Sequence, residues 1–426
     1  MRQKLAMRVL LLLTALICGV ALAQEQEAFP IRIGVILPAA ADEGVAAQID
    51  AAARDAARQG VEMAAEELGF NAQMLGYELT VSVEEADGSD AAAEAAQRLI
   101  DAEVLALAGG YGDGVAAAIA SVAEESGIPF LNIGSSSIAL RNEQCSPVMF
   151  HIEASGGMYL DAMAGWFVGA GFRDWHLIVD GSEESAALAD RLRRTLNERH
   201  FAARIAGREV VAPDAPEGEV DALLEEAAEA DVVVLIVSGE RQLELLSRAD
   251  ALGIETEITA YPWPQTQTRE YYATVLEAAP GAGAGFRASA WEPTLDAYGA
   301  RELNARFESR FGEPMDAPAW AAYQAIKLVF EAVSFGGARD AGALRDHLAA
   351  DDAVFDVWKG IGVTFRPWNH QLRQTLFLVE LRADAETARD RALLVGELPS
   401  IYMPRTDPVE RLDQLGDLER PSRCSF

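Results

Sequence analysis

The chain has 426 residues, of which 67 are Asp or Glu and 35 are Lys or Arg, so its formal net charge is −32. Apolar residues make up 50% and charged residues 24%, which is typical of a globular protein of two or three domains rather than a disordered or disulfide-dense chain. Nucleic-acid binding is not expected, because phosphate contacts require clustered Lys and Arg. A polybasic membrane patch is not expected either, because the only lysines are Lys4, Lys327 and Lys359.

Residues 1–23 have the pattern of a secretory signal peptide. Cations within Arg2–Arg8 precede the apolar run Val9–Val20, and the small-residue sequence Ala21–Ala23 follows. The apolar run is too short to cross a bilayer comfortably, although an uncleaved anchor is the alternative. We therefore expect a cleaved signal peptide and a periplasmic mature chain without stable membrane insertion.

Removal of residues 1–23 leaves Cys145 and Cys424 as the cysteines of the mature chain. In an oxidising compartment these two thiols could form a disulfide that ties the C-terminus to the body of the protein. Two free buried thiols are the alternative, because the distance between the cysteines cannot be read from the sequence.

Strand and helix patterns alternate along the first third of the chain. A buried strand is predicted over Ile31–Leu37, a strand of alternating apolar and polar residues over Tyr77–Val83, and further strands over Val104–Ala108 and Ile128–Ile133. Helices are predicted between them, the first from Val45 to Leu68 with Gly69 as its stop, the next ending near Asp101, and a third ending at Gly127.

A second alternating series begins after Phe150. Its predicted strands are Trp175–Val179, Glu209–Val211, Val232–Val237 and Glu257–Tyr261, with helices over Met158–Val168, Ala187–Arg199, Val220–Ala230 and Gln242–Leu252. Later helices are predicted over Ala300–Phe311 and Ala319–Phe335, late strands within Gly362–Leu381, and an extended tail from about Ala383. Alternation of this kind predicts an α/β fold in which two doubly wound, Rossmann-like lobes each contain a parallel sheet.

Signatures of enzymes and metal sites are missing from the sequence. The five histidines are scattered, and none has a metal-ligand spacing such as H-E-x-x-H. The loop Gly110–Gly114 follows the third predicted strand rather than the first and lacks the spacing of a dinucleotide-binding loop. The sequence therefore predicts a protein that is not an enzyme and has no cofactor and no metal site.

Small polar loops follow the predicted parallel strands and are the candidate binding elements, because ligands of open α/β sheets bind outside the carboxyl ends of the strands. These loops are Gly109–Gly114, Gly134–Ser137, Asp180–Ser182, Ser238–Glu240 and Tyr261–Trp263. We expect Tyr111, Trp263 and Trp291 to supply apolar walls, and Trp166, Trp175 and Trp320 to belong to the core. Ordinary turn chemistry is the alternative explanation for any one loop.

Three segments carry a family resemblance: IRIGVILP, VLALAGGYGDG and IPFLNIGSSS. They resemble the type 1 periplasmic substrate-binding proteins of ABC transporters, in particular the branched-chain amino acid binders, and the resemblance extends over Phe29–Leu381. The segment GVTFRPWNHQLRQTLFLVE, Gly362–Glu380, is similar to substrate-binding proteins encoded with PQQ-dependent alcohol catabolism systems.

The resemblance implies two lobes joined by a three-crossing hinge, with residues 28–150 and 286–355 in lobe I, 151–285 and 356–382 in lobe II, and 383–426 as the tail. It implies a monomer that closes on a small organic ligand and is recognised by an ABC transporter permease. The implied ligand-binding residues are Tyr111, Gly112, Asp113, Gly134, Ser135 and Ser136 of lobe I and Gly181, Ser182, Gly239 and Trp263 of lobe II.

The sequence departs from the amino acid binders at two points. Tyr111 and Asp113 stand where a small hydroxyl often meets the ligand carboxylate, and Glu183 and Glu240 are the candidate acids for an amino group. The acidity also suggests an alternative function, a metal-handling protein or an accessory or sensor protein of an exported dehydrogenase system, because hard cations prefer carboxylate oxygens. No D-x-D-x-D-G loop is present to support a metal site.

Overall fold

The computed structural model describes residues 28–40, 44–399, 405–419, 422–424 and 426. The predicted signal peptide, residues 1–23, lies outside this part of the chain. Within it, no helix is long and apolar enough to cross a membrane.

The secondary structure of the described residues alternates between strands and helices along most of the chain. The strands are β1 Phe29–Pro38, β2 Tyr77–Ala86, β3 Ala106–Gly109, β4 Phe130–Asn132, β5 Met149–His151, β6 Asp174–Val179, β7 Arg204–Val210, β8 Val232–Ile236, β9 Glu257–Ala260, β10 Gly285–Ser289, β11 Leu376–Leu381 and β12 Ala392–Leu398. The helices are α1 Val45–Met74, α2 Gly88–Asp101, α3 Asp113–Ser126, α4 Gly156–Ala170, α5 Glu183–Arg199, α6 Glu217–Ala227, α7 Gly239–Leu252, α8 Arg269–Ala278, α9 Ala300–Phe311, α10 Ala317–Ser334, α11 Ala341–Leu348 and α12 Pro408–Leu412.

Two parallel sheets form the centres of the two lobes, and the predicted α/β fold is confirmed. The first sheet has the strand order β2-β1-β3-β4-β5 and the second β7-β6-β8-β9, and every neighbouring pair in both sheets is parallel. The residues of β8 are all buried, as expected for a strand with helices on both faces of its sheet. In each sheet the strand order reverses at one point, where a crevice opens outside the carboxyl ends.

A third sheet, which the sequence did not predict, lies beside the second lobe. Its order is β10-β11-β12, and both pairs are antiparallel. The expectation of an extended tail from Ala383 is therefore wrong for β12, which completes a sheet. Within the predicted late strands, Gly362–Leu381, the structure has the strand β11, and two isolated bridges precede it, His151 with Gln371 and Phe365 with Leu372. The lobe boundaries given above stay a prediction.

Helix α1 is longer than predicted. It continues through Gly69 to Met74, because Leu68 and Ala72 extend its buried face and a single helical glycine costs only about 1 kcal/mol relative to alanine. At Gly60 the helix approaches α10 so closely that an added Cβ would overlap the carbonyl oxygen of Ala319. A residue without a side chain is therefore required at this crossing.

The C-terminal segment, described at residues 405–419 and 422–424, contacts the rest of the chain at several places, among them Asp413, Asp417 and Cys424. Its Asp413 Oδ1 accepts hydrogen bonds from Arg366 Nε and Arg373 Nε, both at 2.9 Å. Further along, Asp417 Oδ1 accepts from Arg191 Nε of α5 at 3.0 Å. A disulfide then joins Cys424 to Cys145, with their Cα atoms 5.8 Å apart.

Candidate functional site

Two of the predicted loops lie side by side at the carboxyl ends of β3 and β4. The ring of Tyr111 packs on Gly134, where an added Cβ would come within 2.7 Å of it. The Gly112 amide donates to the Gly134 carbonyl oxygen at 3.4 Å. The Ser135 hydroxyl donates to Asp113 Oδ1 at 2.5 Å, at the start of α3. The two loops therefore form one surface.

Hydrogen bonds to Asn132 and Arg141 hold the serine loop, Gly134–Ser137, in place. Asn132 Oδ1 accepts from the Ser135 amide at 3.0 Å. The buried Arg141 guanidinium donates to the carbonyl oxygens of Ser137 at 2.8 Å and Ser135 at 3.1 Å, and burial lowers the pKa of Arg141 to about 10. Arg141, which was not predicted from the sequence, therefore holds the loop in this conformation without the help of a ligand.

The second lobe reaches the serine loop through the segment after β9. The Tyr261 hydroxyl donates to Ser136 Oγ at 2.9 Å. The rings of Tyr261 and Trp263 meet edge to face with centroids 4.4 Å apart, and Trp263 Nε1 donates to the Val237 carbonyl oxygen at 2.6 Å. The predicted residues Ser136 and Trp263 thus lie on opposite sides of one seam, with Tyr261 between them.

A pair of carboxyl groups also meets across this seam. Glu184, in the first turn of α5, lies within hydrogen-bonding contact of Asp113. The pKa of Glu184 is raised to about 8, mainly because the carboxyl group is buried and further because Asp113 and Asp180 lie near it. The acids considered from the sequence, Glu183 and Glu240, are both exposed. Only the position of Glu184 in the capped first turn after Ser182 could have suggested it.

A third carboxyl group, that of Glu153, lies buried just after β5, the last strand of the first sheet along the chain. Glu153 Oε1 accepts from the Tyr159 hydroxyl at 2.6 Å, and Tyr159 in turn accepts from Gln267 Nε2 at 2.9 Å. Burial raises the pKa of Glu153 to about 7. Sequence reasoning missed this group, because no local pattern distinguishes it from a surface acid.

The remaining predicted contacts, Gly181, Ser182 and Gly239, lie in two other loops of the second lobe. Gly181 and Ser182 are exposed, and the Ser182 hydroxyl caps α5 by accepting from an amide of its first turn at 3.1 Å. Gly239 is buried at the start of α7, where an added Cβ would lie 2.8 Å from Thr266 and 3.5 Å from Ile49 of α1. Gly239 therefore lies at the seam between the lobes, whereas Ser182 has a local capping role.

The tryptophan predictions need one correction. Trp291 is 1% exposed and stacks on Trp320 with ring centroids 5.6 Å apart, so it is a core residue and not a wall of the crevice. Trp175 and Trp320 are fully buried, as expected, whereas Trp166 is half-buried against Phe286.

A cavity of about 280 Å³ opens beside Tyr111 and Gly112 at the carboxyl ends of β1 and β2. Its walls are mostly apolar, and its polar side chains come from Asp50, Asp87 and Gln265. No Lys, Arg or His is among the described residues that line it. The cavity therefore suits a small ligand that donates hydrogen bonds or carries positive charge.

The raised pKa of Glu184 predicts how stability depends on pH. A carboxyl group whose pKa is higher in the folded than in the unfolded state destabilises the fold as pH rises between the two values. Glu153 and Asp316, each with a pKa raised by burial to about 7, act in the same direction. We expect the thermal midpoint of the ligand-free protein to decrease as the pH rises from about 5 to about 8, and to decrease less steeply in Glu184→Gln.

Differential scanning calorimetry across this pH range measures the effect. Glu183→Gln is the matched control, because Glu183 is exposed in the same helical turn and its loss should leave the profile unchanged. Identical slopes in the wild type and Glu184→Gln would contradict the assignment.

Within the described residues, no group of three or more His, Cys, Asp or Glu side chains could hold a metal ion. The site is thus built from hydroxyls, aromatic rings, backbone groups and one carboxyl pair. This arrangement can bind and enclose a solute.

Comparison with known proteins agrees with this geometry. The sequence profile of the periplasmic binding protein family matches residues 30–386, and no relative was found among the curated proteins. An ABC transporter substrate-binding protein from Sphaerobacter thermophilus has a similar structure, with 20% identity, a TM-score of 0.72, and coverage of 87% of this chain and 98% of that one.

Two further solved structures contain ligands. A branched-chain amino acid transporter substrate-binding protein from Streptococcus pneumoniae, in complex with isoleucine, is 19% identical with a TM-score of 0.68, covering 86% of this chain and 99% of that one. A solute-binding protein of an ABC transporter from R. palustris, in complex with benzoate, is 20% identical with a TM-score of 0.66, covering 86% and 96%. Both share the two-lobe fold of type 1 periplasmic binding proteins. The chain therefore belongs to the periplasmic binding protein family, whose members are binding proteins and not enzymes.

Proposed function

We propose that this protein is the exported solute-binding component of an ABC importer, which captures a small organic solute between its lobes and delivers it to the permease. The observation that carries the proposal is the meeting of strand-end loops from both parallel sheets, through the Tyr261–Ser136 hydrogen bond and the Asp113–Glu184 contact. The solved relatives named as ABC transporter proteins, with isoleucine in one and benzoate in another, support this class of function.

The proposed mechanism is closure of the two lobes around the solute. A ligand that contacts both lobes stabilises the closed state by the difference between its affinities for the closed and open forms. The buried Lys359 ammonium links chain crossings by donating to the Ala290 carbonyl oxygen and, at 2.5 Å, to Gln374 Oε1. Gln374 Nε2 donates in turn to the Ile152 carbonyl oxygen at 2.6 Å. In this proposal, the residues that make these contacts form the hinge about which the lobes turn.

We further propose that the solute places an ammonium or hydroxyl group between Asp113 and Glu184. Two carboxyl groups in contact repel each other unless a proton or a donor group lies between them. A ligand ammonium or hydroxyl would supply that donor, and Ser135 would orient Asp113 through its hydrogen bond. A role linked to PQQ-dependent alcohol catabolism, suggested by Gly362–Glu380, fits a hydroxyl-bearing solute.

A thermal-shift screen of alcohols, aldehydes, organic acids, amines and amino acids tests the proposal, because a bound ligand raises the unfolding temperature by mass action. Titration with Ca²⁺ or a trivalent cation in the same assay tests the metal-handling alternative. A shift with metals and none with organic solutes would overturn the proposed function.

Once a ligand is identified, Ser135→Ala is expected to weaken its binding roughly five- to tenfold, the range of one lost hydrogen bond. Trp263→Ala should weaken binding at least as much, because it removes an aromatic wall. Calorimetric titration measures both, with Ser334→Ala as the control, since the Ser334 hydroxyl only donates to the Phe330 carbonyl oxygen within α10. Unchanged affinity in both site variants would remove the site assignment.

A further inference from the structure

A second cavity, separate from the crevice of the proposed function, lies where three parts of the chain meet. It has a volume of about 430 Å³. Its walls come from residues 138–143 of the first lobe, from α5 of the second lobe, and from residues 416–418, 422 and 423 of the C-terminal segment. Its position between the lobes means that anything bound there contacts both.

Arginine dominates the lining of this cavity. Five guanidinium groups contribute, those of Arg141, Arg191, Arg194, Arg199 and Arg423, against three carboxylates. This excess is opposite in sign to the chain as a whole, in which acidic residues outnumber basic ones by 67 to 35. The local potential is therefore set by the guanidinium groups, which attract anions in spite of the net negative charge.

Three of these arginines already have carboxylate partners. Arg191 and Arg199 donate to Asp161 at 2.9 and 2.8 Å, and Arg423 pairs with Glu143 at 3.1 Å. These pairs hold the walls in place. Of the carboxylates that line the cavity, Glu143 is paired with Arg423 and Asp417 with Arg191, whereas Glu198 has no ion pair among the described residues. The guanidinium groups of the lining still outnumber its carboxylates by five to three.

The other two arginines have no carboxylate partner within the described part of the chain. Arg141 donates to the side-chain oxygen of Gln371 at 2.5 Å and to backbone carbonyl oxygens, all of which are neutral acceptors. Arg194 is exposed on α5. Their charges can be balanced by an oxyanion in the cavity between them.

We propose that this cavity binds a small multivalent oxyanion, either inorganic phosphate or a di- or tricarboxylate. Guanidinium groups recognise carboxylate and phosphate oxygens through paired hydrogen bonds, and the volume is within the range of small-molecule sites. Because Arg141 also holds the serine loop, an anion here is coupled through that side chain to the ligand crevice. This inference does not depend on the identity of the transported solute.

The test is calorimetric titration of the full mature protein with sodium phosphate and with sodium citrate, each against sodium chloride at equal ionic strength. We expect saturable binding of at least one anion, and at least a fivefold loss of affinity in the double variant Arg194→Gln/Arg423→Gln. Both arginines are on the rim, and their replacement leaves the buried Arg191–Asp161 pair intact.

Arg193→Gln is the matched control, because Arg193 neighbours Arg194 on α5, is exposed, and pairs with Asp190 outside the cavity. Its affinity for the anion should equal that of the wild type. Absence of saturable heat with both anions would overturn the proposal. Equal losses of affinity in Arg193→Gln and the double variant would overturn it as well, because they would indicate a general charge effect.

Discussion

Replacement of Asp161 with alanine is expected to lower the free energy of unfolding by about 3–5 kcal/mol, the usual cost of removing one partner of a buried ion pair. The Asp161 side chain is 2% exposed and accepts from two arginines, Arg191 at 2.9 and 3.0 Å and Arg199 at 2.8 Å. It also accepts from the Thr195 hydroxyl at 2.7 Å and from the Gly416 amide at 2.8 Å. Alanine would leave the nearly buried Arg191 with only part of its compensating charge.

Urea denaturation followed by circular dichroism measures this loss. Asp296→Ala is the control, because Asp296 and Arg301 form an ion pair in which both side chains are more than half exposed. Surface pairs of this kind contribute little, so the midpoint should hardly move. A comparable midpoint in Asp161→Ala and the wild type would show that the network does not stabilise the fold.

Gly60→Ala is expected to destabilise the protein by about 1–3 kcal/mol or more, the cost of overpacking a core. The added Cβ would overlap the carbonyl oxygen of Ala319 in α10, which is backbone and cannot rotate away. Helices α1 and α10 would have to separate, which would weaken the packing of their buried faces, to which Val61 and Ala322 belong.

Gly69→Ala is a control within the same helix. Nothing lies within 4 Å of an added Cβ at Gly69, so alanine should stabilise the helix by about 0.5–1 kcal/mol through its higher helix propensity. The two substitutions should therefore shift the urea midpoint in opposite directions. A shift in the same direction for both would mean that the α1–α10 crossing is looser than the structure indicates.

The fold was predictable where its signals are local. The apolar run Val232–Ile236 predicts a buried strand whatever strands it pairs with. Gly127, which has a left-handed conformation with φ of 69°, likewise marks the end of its helix without reference to the rest of the fold. The third sheet was not predicted because β12 is stabilised as a strand by its pairing with β11. Nothing within Ala392–Leu398 itself specifies that partner.

The site was predictable only in part, for a related reason. The rule that ligands bind at strand ends identified loops that do meet in the structure, since Tyr111 packs on Gly134 and Ser135 donates to Asp113. It could not locate Glu184 or Arg141, because their contacts, with Asp113 and Gln371 respectively, join residues that are far apart in the sequence. The same rule placed Ser182 among the binding residues, although its hydroxyl is used in a helix cap.

The attachment of the C-terminal segment to both lobes limits how far the two lobes can move apart. Asp417 is attached to α5 in one lobe, and Cys424 is attached to Cys145 in the other. The chain between these anchors, fully extended, reaches about 25 Å at about 3.6 Å per residue. This tether sets an upper bound on the separation of the two anchor points while both hold, and a thiol reductant would lengthen the allowed travel without altering the hinge.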